Sequence, residues 1–290
     1  MANIKIMRVN DGTVLTADGV ESVDKELVRI LFGENQAGVL TANFHPQEGD
    51  AERAFDPFAD FDEPEPEGGS VGEAVLRRVI QRTITPDILK RAMEMEELDK
   101  VLPIRSQIDV PLAGGGFATV ECGYVTPTMA RFVFLDCWDE GVMNDEATNK
   151  TGYFGSKGRK HVLEDILPQI ASEWRELMIP RKLSEVIDGK KVEYADLMWL
   201  PSATDMFGPS NGRWWNDEPD SFQLEIFKRE RDRIKELDDK GTYPWWLRSV
   251  YSGGSADFCR VNTDGGADLS DAYNSRGFAP GFDIAAHDSE

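Results

Sequence analysis

The sequence predicts an α+β fold of mixed, mostly antiparallel strands. Three observations predict it: short apolar runs bounded by turn residues, helical segments with one apolar face, and no regular alternation of strand and helix. The clearest strand pair spans residues 107–112 and 117–125, and the glycines at 114–116 supply a hairpin turn. This order of elements argues against a parallel sheet built from strand–helix–strand units.

The N-terminal part, residues 1–69, is predicted to attach the chain to something larger. Residues 48–67 hold nine acidic side chains against one basic side chain, Arg53, which is the composition of a linker. Phe55, Phe58 and Phe61 recur every three residues within it. Two interpretations stay open: a solvated linker, or a docking peptide whose rings enter a partner.

Residues 70–104 are predicted to be helical, and residues 105–290 to form one domain. In the helical segment Thr85 followed by Pro86 has the sequence of an N-terminal cap and first turn. The apolar and polar patterns of the domain predict further elements. They are a strand at 131–136, helices at 156–170 and 173–178, strands at 181–187 and 191–193, a short helix ending at Phe207, a charged helix at 222–237, and strands near 245–247 and 278–284.

The composition limits the possible partners. The chain of 290 residues has a net charge of -21 and a sequence pI of about 4.6. Neutralising phosphates requires clustered Lys and Arg, so neither nucleic acid nor an anionic membrane surface is expected as a partner. The sequence shows no apolar segment of signal-peptide length near Met1 and no run of about eighteen apolar residues. Cytoplasmic synthesis without a signal peptide and without membrane insertion is therefore expected.

Catalytic chemistry is not predicted. The three histidines show no pairing with a Ser or Cys nucleophile, and neither G-x-S-x-G nor H-E-x-x-H occurs. The three cysteines lack metal-type spacing. Cys122 and Cys137 lie in apolar, strand-like contexts and are expected to be buried thiols. We expect no enzymatic activity and no cofactor.

The most informative segment is residues 245–284. Two apolar strands enclose short stretches rich in Gly, Ser, Asn, Asp and Tyr, which is the layout of a rigid frame that presents variable loops. Trp245 and Trp246 alternate along the first strand, so one is expected to fill the core and the other to line the surface. Arg248 is expected to be a buried guanidinium that satisfies loop carbonyls or a carboxylate. The exposed candidates for ligand contact are Tyr251, Ser252, Ser255, Asp257, Arg260, Asn262, Asp268, Ser270, Asp271, Tyr273 and Asn274.

The same segment carries a family resemblance. W-W-L-R-S at 245–249, F-x-x-V-N-x-D-G at 258–265 and G-F-A-P-G-F at 277–282 resemble the signature of a bacterial and prophage domain family of unassigned function. Earlier segments fit that family in the same order, so the resemblance covers about residues 105–284. In two departures, Ala279 stands where the signature usually has Arg, and residues 213–220 are peculiar to this chain.

The family looks related to the C-type-lectin-like fold, including hypervariable display proteins that retroelements diversify in some phages and bacteria. The resemblance implies a C-type-lectin-like domain that recognises a protein or glycan ligand through its C-terminal loops, as a phage or prophage virion protein of the tail or capsid. The alternative is a purely structural assembly protein whose domain packs against neighbouring subunits. In either setting, residues 1–69 would contact a homo-oligomer or virion partner.

Two acidic segments contain residue types that can bind calcium, but neither pattern predicts a metal site. Residues 215–217 reproduce the W-N-D of calcium-dependent sugar-binding lectins, but the E-P-D that follows is fused to it in the reverse order. The favoured interpretation is an acidic loop in which Trp214 or Trp215 packs against the domain. The second set consists of Asn262, Asp264, Asp268 and Asp271, and turn chemistry explains the first two of these equally well.

Overall fold

The computed structural model describes residues 84–187 and 189–286, together with the backbone of three N-terminal strands. These strands are β1 (Ala2–Met7), β2 (Val14–Asp18) and β3 (Leu40–Phe44), with β1 antiparallel to both others. The chain divides into two compact units, Met1–Ile84 and Thr85–Glu290. The acidic stretch at 48–67, its three phenylalanines and the first part of the predicted helical segment lie outside the described residues.

The second unit is a mixed α+β structure with mostly strands and few helices. Its helices are short: α1 (Pro86–Glu94), α2 (Leu98–Val101), α3 (Lys157–Lys160), α4 (Ser172–Arg175) and α5 (Ala203–Phe207). Its strands are β4 (Gln107–Pro111), β5 (Phe117–Val125), β6 (Met129–Phe134), β7 (Asp139–Gly141), β8 (Met178–Ile179), β9 (Arg181–Ile187), β10 (Lys190–Asp196), β11 (Met198–Trp199), β12 (Trp245–Val250), β13 (Asp257–Val261), β14 (Ala267–Asp271), β15 (Arg276–Phe278) and β16 (Gly281–Ala285).

The unit begins with the predicted helix cap. Thr85 is in an extended conformation and its hydroxyl accepts a hydrogen bond from the amide of Ile88 at 3.4 Å, while Pro86 opens α1. α1 buries Leu89, Ala92 and Met93. α2 then meets the strands, since the amide of Leu98 donates to the carbonyl of Pro127 at 3.0 Å. The helical residues from Thr85 onward therefore belong to the compact unit that also contains the strands.

Two larger sheets form the body of the unit. The six-stranded sheet has the order β11-β16-β6-β5-β4, with β8 pairing with β16 at the side, and all its pairings are antiparallel. Its β4–β5 hairpin confirms the predicted pair, and Gly115 and Gly116 take the positive φ values of 90° and 81° that favour glycine in the connection. The five-stranded sheet has the order β14-β13-β12-β15-β7, in which only the β12–β15 pair is parallel.

The predicted hairpin around residue 188 is also present, as the antiparallel pair of β9 and β10. The predicted helix at 156–170 is confirmed in position but is irregular, because α3 continues as a π-helix at His161–Ile166 and a 3-10 turn at Leu167–Gln169. The predicted helix at 222–237 is wrong. That stretch holds only the 3-10 turns Glu225–Phe227 and Glu230–Arg233, and Arg229 between them is extended (φ -94°, ψ 144°).

The reason for this difference is burial. Leu224, Ile226 and Phe227 are all fully buried or nearly so in the core, at 0%, 0% and 1% exposed. Three such neighbouring side chains cannot lie on one narrow stripe of a regular helix, so packing overrides the local preference of the charged sequence. Tertiary burial therefore decides the conformation of this segment.

Both tryptophans of β12 are in the core. Trp245 and Trp246 are each 0% exposed, so the prediction that one of them lines the surface is wrong. The indole Nε1 of Trp245 donates to the carbonyl of Arg233 and that of Trp246 to the carbonyl of Gly141, each at 2.9 Å. Both faces of the strand are covered, so alternation places the two rings in core regions on opposite sides of the sheet.

The cysteines are free and buried, as predicted for Cys122 and Cys137. Burial raises the pKa of each of these two thiols to about 12, and it also raises the pKa of Cys259. A protonated, enclosed thiol behaves as a small apolar side chain. In the described part of the chain, no helix is long and apolar enough to cross a membrane.

Candidate functional site

Three buried arginines each pair with a carboxylate of another element; we call Arg131, Arg181 and Arg248 the arginine cluster. Arg131 on β6 forms a bidentate pair with Asp283 on β16, at 2.9 Å from Nε and 2.8 Å from Nη2. Arg181 on β9 pairs with Asp205 of α5, at 3.3 Å from Nη1 and 3.0 Å from Nη2. A bidentate ion pair of this kind fixes the orientation of both side chains and also pairs their charges.

Arg248 is 1% exposed and confirms the predicted buried guanidinium. Its Nη1 donates to the carbonyl of Ser184 at 3.2 Å, and its Nη2 donates to the Asp220 carboxylate and to the hydroxyl of Ser221. Asp220 in turn accepts from the amide of Ser184 at 2.9 Å. The guanidinium thus joins β12, from which the C-terminal loops depart, to β9 and to the segment that contains residue 220.

The carboxylates around the cluster respond to it in two ways. Burial acts to raise the pKa of Asp205, but the charges of Arg181 and Arg248 outweigh it and lower that pKa. Asp205 also completes a capping box with Ser202 at the start of α5. Burial raises the pKa of Glu218, although the charge of Arg248 and hydrogen bonds from the hydroxyls of Thr204 and Ser249 act against it.

The β12–β13 and β14–β15 loops come together at one end of the five-stranded sheet, which we call the loop face. Antiparallel pairing places Val250 opposite Phe258 and Asp257 opposite Asp271. The chain reversals next to these pairs must therefore lie at the same edge. The predicted ligand contacts brought together there are Tyr251, Ser252, Ser255, Asp257, Ser270, Asp271, Tyr273 and Asn274.

The remaining predicted contacts are not part of the loop face. Asn262 lies in the β13–β14 turn, at the opposite end of the sheet, because Val261 pairs with Trp245 and Ala267 at the other end of these strands. Arg260 and Asp268 pair across β13 and β14, with 2.5 Å between Nη2 and Oδ2. Because the two charges neutralise each other within the sheet, neither is left to bind a ligand.

Ser270 is buried rather than exposed. It is 5% exposed, and its hydroxyl accepts a hydrogen bond from the side-chain amide of Asn274 at 3.2 Å. Its physical use is to brace the β14–β15 loop from beneath. Tyr273, in the same loop, is 50% exposed and presents its ring to solvent.

The β12–β13 loop is held by contacts from two other segments. The side-chain amide of Asn149 donates to the carbonyls of Gly254 at 3.1 Å and Asp257 at 2.8 Å, and its backbone amide donates to Ser255 at 2.8 Å. On the other side, the amide and hydroxyl of Ser252 both donate to the carbonyl of Trp214, at 2.7 and 2.8 Å. The loop backbone is therefore bonded on both sides while several of its side chains face solvent.

Two carboxylates face each other on the loop face. Asp257 and Asp271 are cross-strand partners, and partial burial together with the charge of Asp271 raises the pKa of Asp257. Like charges placed directly opposite each other destabilise a strand pair. Across residues 84–187 and 189–286, no group of three or more His, Cys, Asp or Glu side chains is arranged to hold a metal ion.

The W-N-D and E-P-D segment supports the acidic-loop interpretation. Trp215 is 2% exposed, whereas its neighbour Trp214 is 43% exposed. Glu218 is buried against Thr204 and Ser249, and Asp220 is bonded to the arginine cluster. These carboxylates serve internal partners, so they do not converge on a common point in the manner of calcium ligands.

Two clefts flank this segment, and the sequence predicted neither. The first, of about 190 Å³, lies between β9 and residues 216–219, and its lining includes Glu185, Glu218 and Arg248. Burial raises the pKa of Glu185 even though the amides of Tyr153 and Phe154 donate to its carboxylate. The second, of about 330 Å³, is lined by arginines and aromatic rings. The one sequence signal for it was the chain-specific R-W-W at 213–215.

Fold and site together define an α+β domain in which a buried, charged frame supports braced polar loops. The chain belongs to the family described as "Domain of unknown function (DUF6273)", which residues 125–286 match. That match covers more than half of the chain and confirms the expected membership of a domain family of unassigned function. No curated protein and no solved structure matches the chain.

Proposed function

We propose that this protein is a non-catalytic recognition protein that binds a protein or glycan ligand through its loop face. The observation that carries the proposal is the bracing of the β12–β13 loop by Asn149 and by the carbonyl of Trp214, which leaves the side chain of Ser255 exposed. Loops held in this way lose little conformational entropy on binding. Their side chains can then differ without loss of the frame.

The aromatic side chains of the loop face fit such a role. Tyr273 is half exposed, and the Tyr251 ring lies across Gly253, where an added Cβ would come within 2.5 Å of its hydroxyl oxygen. Tyrosines supply a large contact area at a low cost in side-chain entropy, and they commonly dominate recognition surfaces. The neighbouring serines and Asn274 supply hydrogen-bonding groups around them.

The finer assignment is a C-type-lectin-like domain at residues 105–290 of a phage or prophage virion protein. It is supported by the W-W-L-R-S, D-G and G-x-x-P-x-F resemblance, and the mixed antiparallel sheets are compatible with it. In this proposal residues 1–69 join a homo-oligomer or virion partner, and neither nucleic acid nor membrane takes part. The strongly acidic chain would repel polyanions at long range.

The chemistry of the reactive groups also favours recognition over catalysis. His161 is engaged on both ring nitrogens, with Asp165 at 2.8 Å and Asp139 at 2.9 Å, and these partners hold its pKa above the ordinary value. The three thiols are buried with raised pKa values. Nucleophilic catalysis instead requires an accessible group activated by a neighbouring base.

A purely structural assembly role is the second candidate, and exposed phenylalanines favour it. Phe117 at the β4–β5 turn is 64% exposed, and Phe222, whose ring packs against Tyr124, is 45% exposed. Exposed rings of this kind mark surfaces that can pack against a neighbouring subunit.

A combined Tyr251→Ala, Asp257→Ala and Tyr273→Ala variant tests the loop face against this alternative. Exposed substitutions typically cost under about 0.5 kcal/mol each, so the variant should melt within a few degrees of the wild type. Binding of both proteins would be measured on an array of defined glycans and on bacterial cell surfaces, with Phe117→Ala as the matched control. The loop variant should lose the wild-type signals and the control should keep them. A loop variant that folds and keeps every wild-type signal would favour the assembly role.

A further inference from the structure

A cleft of about 330 Å³ opens beside the start of β14, and one of its lining residues, Trp214, also accepts the hydrogen bonds from Ser252 of the loop face. Its volume lies at the lower end of the range of roughly 300–1,000 Å³ that small-molecule pockets span. The side chains that matter for its chemistry are Phe207, Arg213, Trp214, Trp215, Glu230 and Arg233. The chain has a net charge of -21, whereas the walls of the cleft hold two cationic side chains and one anionic side chain.

Aromatic rings form the apolar part of the cleft. The rings of Phe207 and Trp215 pack with 5.7 Å between centroids, and Trp214 is 43% exposed beside them. Trp215 is 2% exposed, yet its buried Nε1 has no hydrogen-bond partner in the part of the chain that the structure describes. That nitrogen is itself enclosed, so Trp215 forms the floor of the cleft and Trp214 is the indole that a ligand can reach.

Two guanidinium groups form the polar part. Arg213 is exposed, lies 5.5 Å above the Trp215 ring, and makes no side-chain hydrogen bond or ion pair within residues 84–187 and 189–286. Arg233 lies 4.8 Å above the Phe207 ring and donates to the carbonyls of Gly265 at 3.2 Å and Arg229 at 3.4 Å. Burial lowers the pKa of Arg233, the charges of Glu230 and Asp232 act to raise it, and the charge of Arg213 acts to lower it. The two guanidinium groups line the same cleft, and Arg213 keeps its donors for a ligand.

One close backbone contact, between Gly265 and Glu230, holds the turn that carries Glu230 and Arg233 at the cleft. Gly265 has a φ of 85°, and a Cβ at this position would lie 2.0 Å from the carbonyl oxygen of Glu230. Only glycine allows the β13–β14 turn to meet the turn that carries Glu230 and Arg233. On the opposite wall, the two hydrogen bonds from Ser252 fix the carbonyl of Trp214.

We propose that this cleft binds one carboxylate-bearing sugar ring, of the uronic or sialic acid type. A carboxylate would match the geometry of the Arg213 and Arg233 guanidinium groups that line the cleft. The apolar face of the ring would pack on the exposed Trp214 indole, while the Glu230 carboxylate accepts hydrogen bonds from its hydroxyl groups. The net charge of -21 and the presence of Glu230 disfavour polyanions, so a monoanionic ring fits better than a nucleic acid.

The test uses the full chain and four probes: D-glucuronate, N-acetylneuraminate, glucose as the neutral analogue, and benzoate as an aromatic acid. Binding would be followed by quenching of tryptophan fluorescence, since two indoles line the cleft, and by saturation-transfer NMR. We expect at least one acidic sugar to bind, glucose to bind about tenfold more weakly or not at all, and the affinity to fall as salt screens the guanidinium charge.

Matched variants locate the site. Arg213→Gln removes an exposed charge without breaking a side-chain hydrogen bond or ion pair to the residues that the structure describes. It should weaken binding of the acidic sugar about tenfold. Arg175→Gln makes the same change at an exposed position of α4 and should leave binding unchanged. Trp214→Ala should weaken binding of the acidic sugar and reduce the fluorescence response, since it removes one wall.

Three results would overturn the proposal: equal binding of glucose and glucuronate, stronger binding of benzoate than of either sugar acid, or no effect of Arg213→Gln. Absence of binding by every probe would overturn it as well. The inference goes beyond the loop-face proposal and shares no substituted residue with it. Loss of acidic-sugar binding in Arg213→Gln but not in the triple loop variant would therefore support the cleft whatever the fate of the loop face.

Discussion

Two sets of arginines in this domain use their donors differently. Arg131, Arg181 and Arg248 of the arginine cluster are at most 6% exposed, and each is bonded to carboxylates or carbonyls of other elements. Arg213 in the cleft is exposed and lies above the Trp215 ring, and its side chain makes no hydrogen bond or ion pair with the residues that the structure describes. The guanidinium is the same group in both places, so the difference lies in what surrounds it.

This comparison separates the frame of the domain from its recognition surfaces. A buried charge whose partner is removed loses far more than an exposed charge, because nothing replaces its lost hydration. An exposed guanidinium without an internal partner contributes little to stability and keeps its donors for a ligand. Substitution in the arginine cluster should therefore lower the free energy of unfolding, whereas substitution of Arg213 should weaken ligand binding and leave stability almost unchanged.

The largest expected effect is that of Arg248→Ala. It would remove the buried cation of this pair and leave the partly buried Asp220 carboxylate without its nearest cation, and we expect the free energy of unfolding to fall by about 3–5 kcal/mol. Arg213→Ala, the matched change in the cleft, should alter it by less than about 0.5 kcal/mol. Urea denaturation followed by circular dichroism measures both. Similar values for the two variants would remove the distinction between frame and cleft.

The tryptophans provide the same comparison for apolar side chains. Trp246 is 0% exposed, so Trp246→Ala should lower the free energy of unfolding by roughly 3–5 kcal/mol or unfold the domain. Trp214 is 43% exposed, and Trp214→Ala should therefore cost clearly less than Trp246→Ala. Thermal melting of the two variants side by side gives the answer. A stable Trp246→Ala variant would mean that β12 is not a core strand.

Local signals in the sequence were enough for part of this picture. The Thr85–Pro86 cap, the glycine-linked hairpin and the buried Arg248 each depend on neighbouring residues or on one strong chemical preference. The burial of Trp246 could not be predicted, since alternation along β12 does not show that both faces of its sheet are covered. The broken helix at 222–237 has the same cause, because its apolar residues follow the shape of the core.

The sequence predicted the candidate site only where its residues lie on loops next to directly paired strands. The contacts near residues 251–257 and 270–274 meet because their strands pair directly, whereas Asn262 lies at the far end of the same strands. The cleft depends on Arg213 and Arg233, which lie in separate segments of the chain and line the same cleft, and the backbone contact between Gly265 and Glu230 holds the turn that carries Arg233. Sequence periodicity carries no information on such a contact.

The subtlest expected effect concerns pH, and it distinguishes two carboxylates that both border the arginine cluster. The pKa of Asp205 is lowered in the folded state, so its contribution to stability is present above its ordinary value of 3.8 and is lost as pH falls through the folded pKa. The pKa of Glu218 is raised, so the folded state holds its proton more tightly than the unfolded state does. Stability then declines as pH rises from the ordinary value of 4.5 through the folded pKa.

The variants Asp205→Asn and Glu218→Gln make these opposite signs measurable. Between about pH 3 and pH 7, the stability advantage of the wild type over Asp205→Asn should grow with pH, while its advantage over Glu218→Gln should shrink. Thermal unfolding at a series of pH values, with both variants in the same buffers, follows the two differences. Parallel trends would mean that Asp205 and Glu218 share one electrostatic environment. Opposite trends would show that the cluster stabilises the Asp205 charge, and that burial at Glu218 outweighs the charge of Arg248.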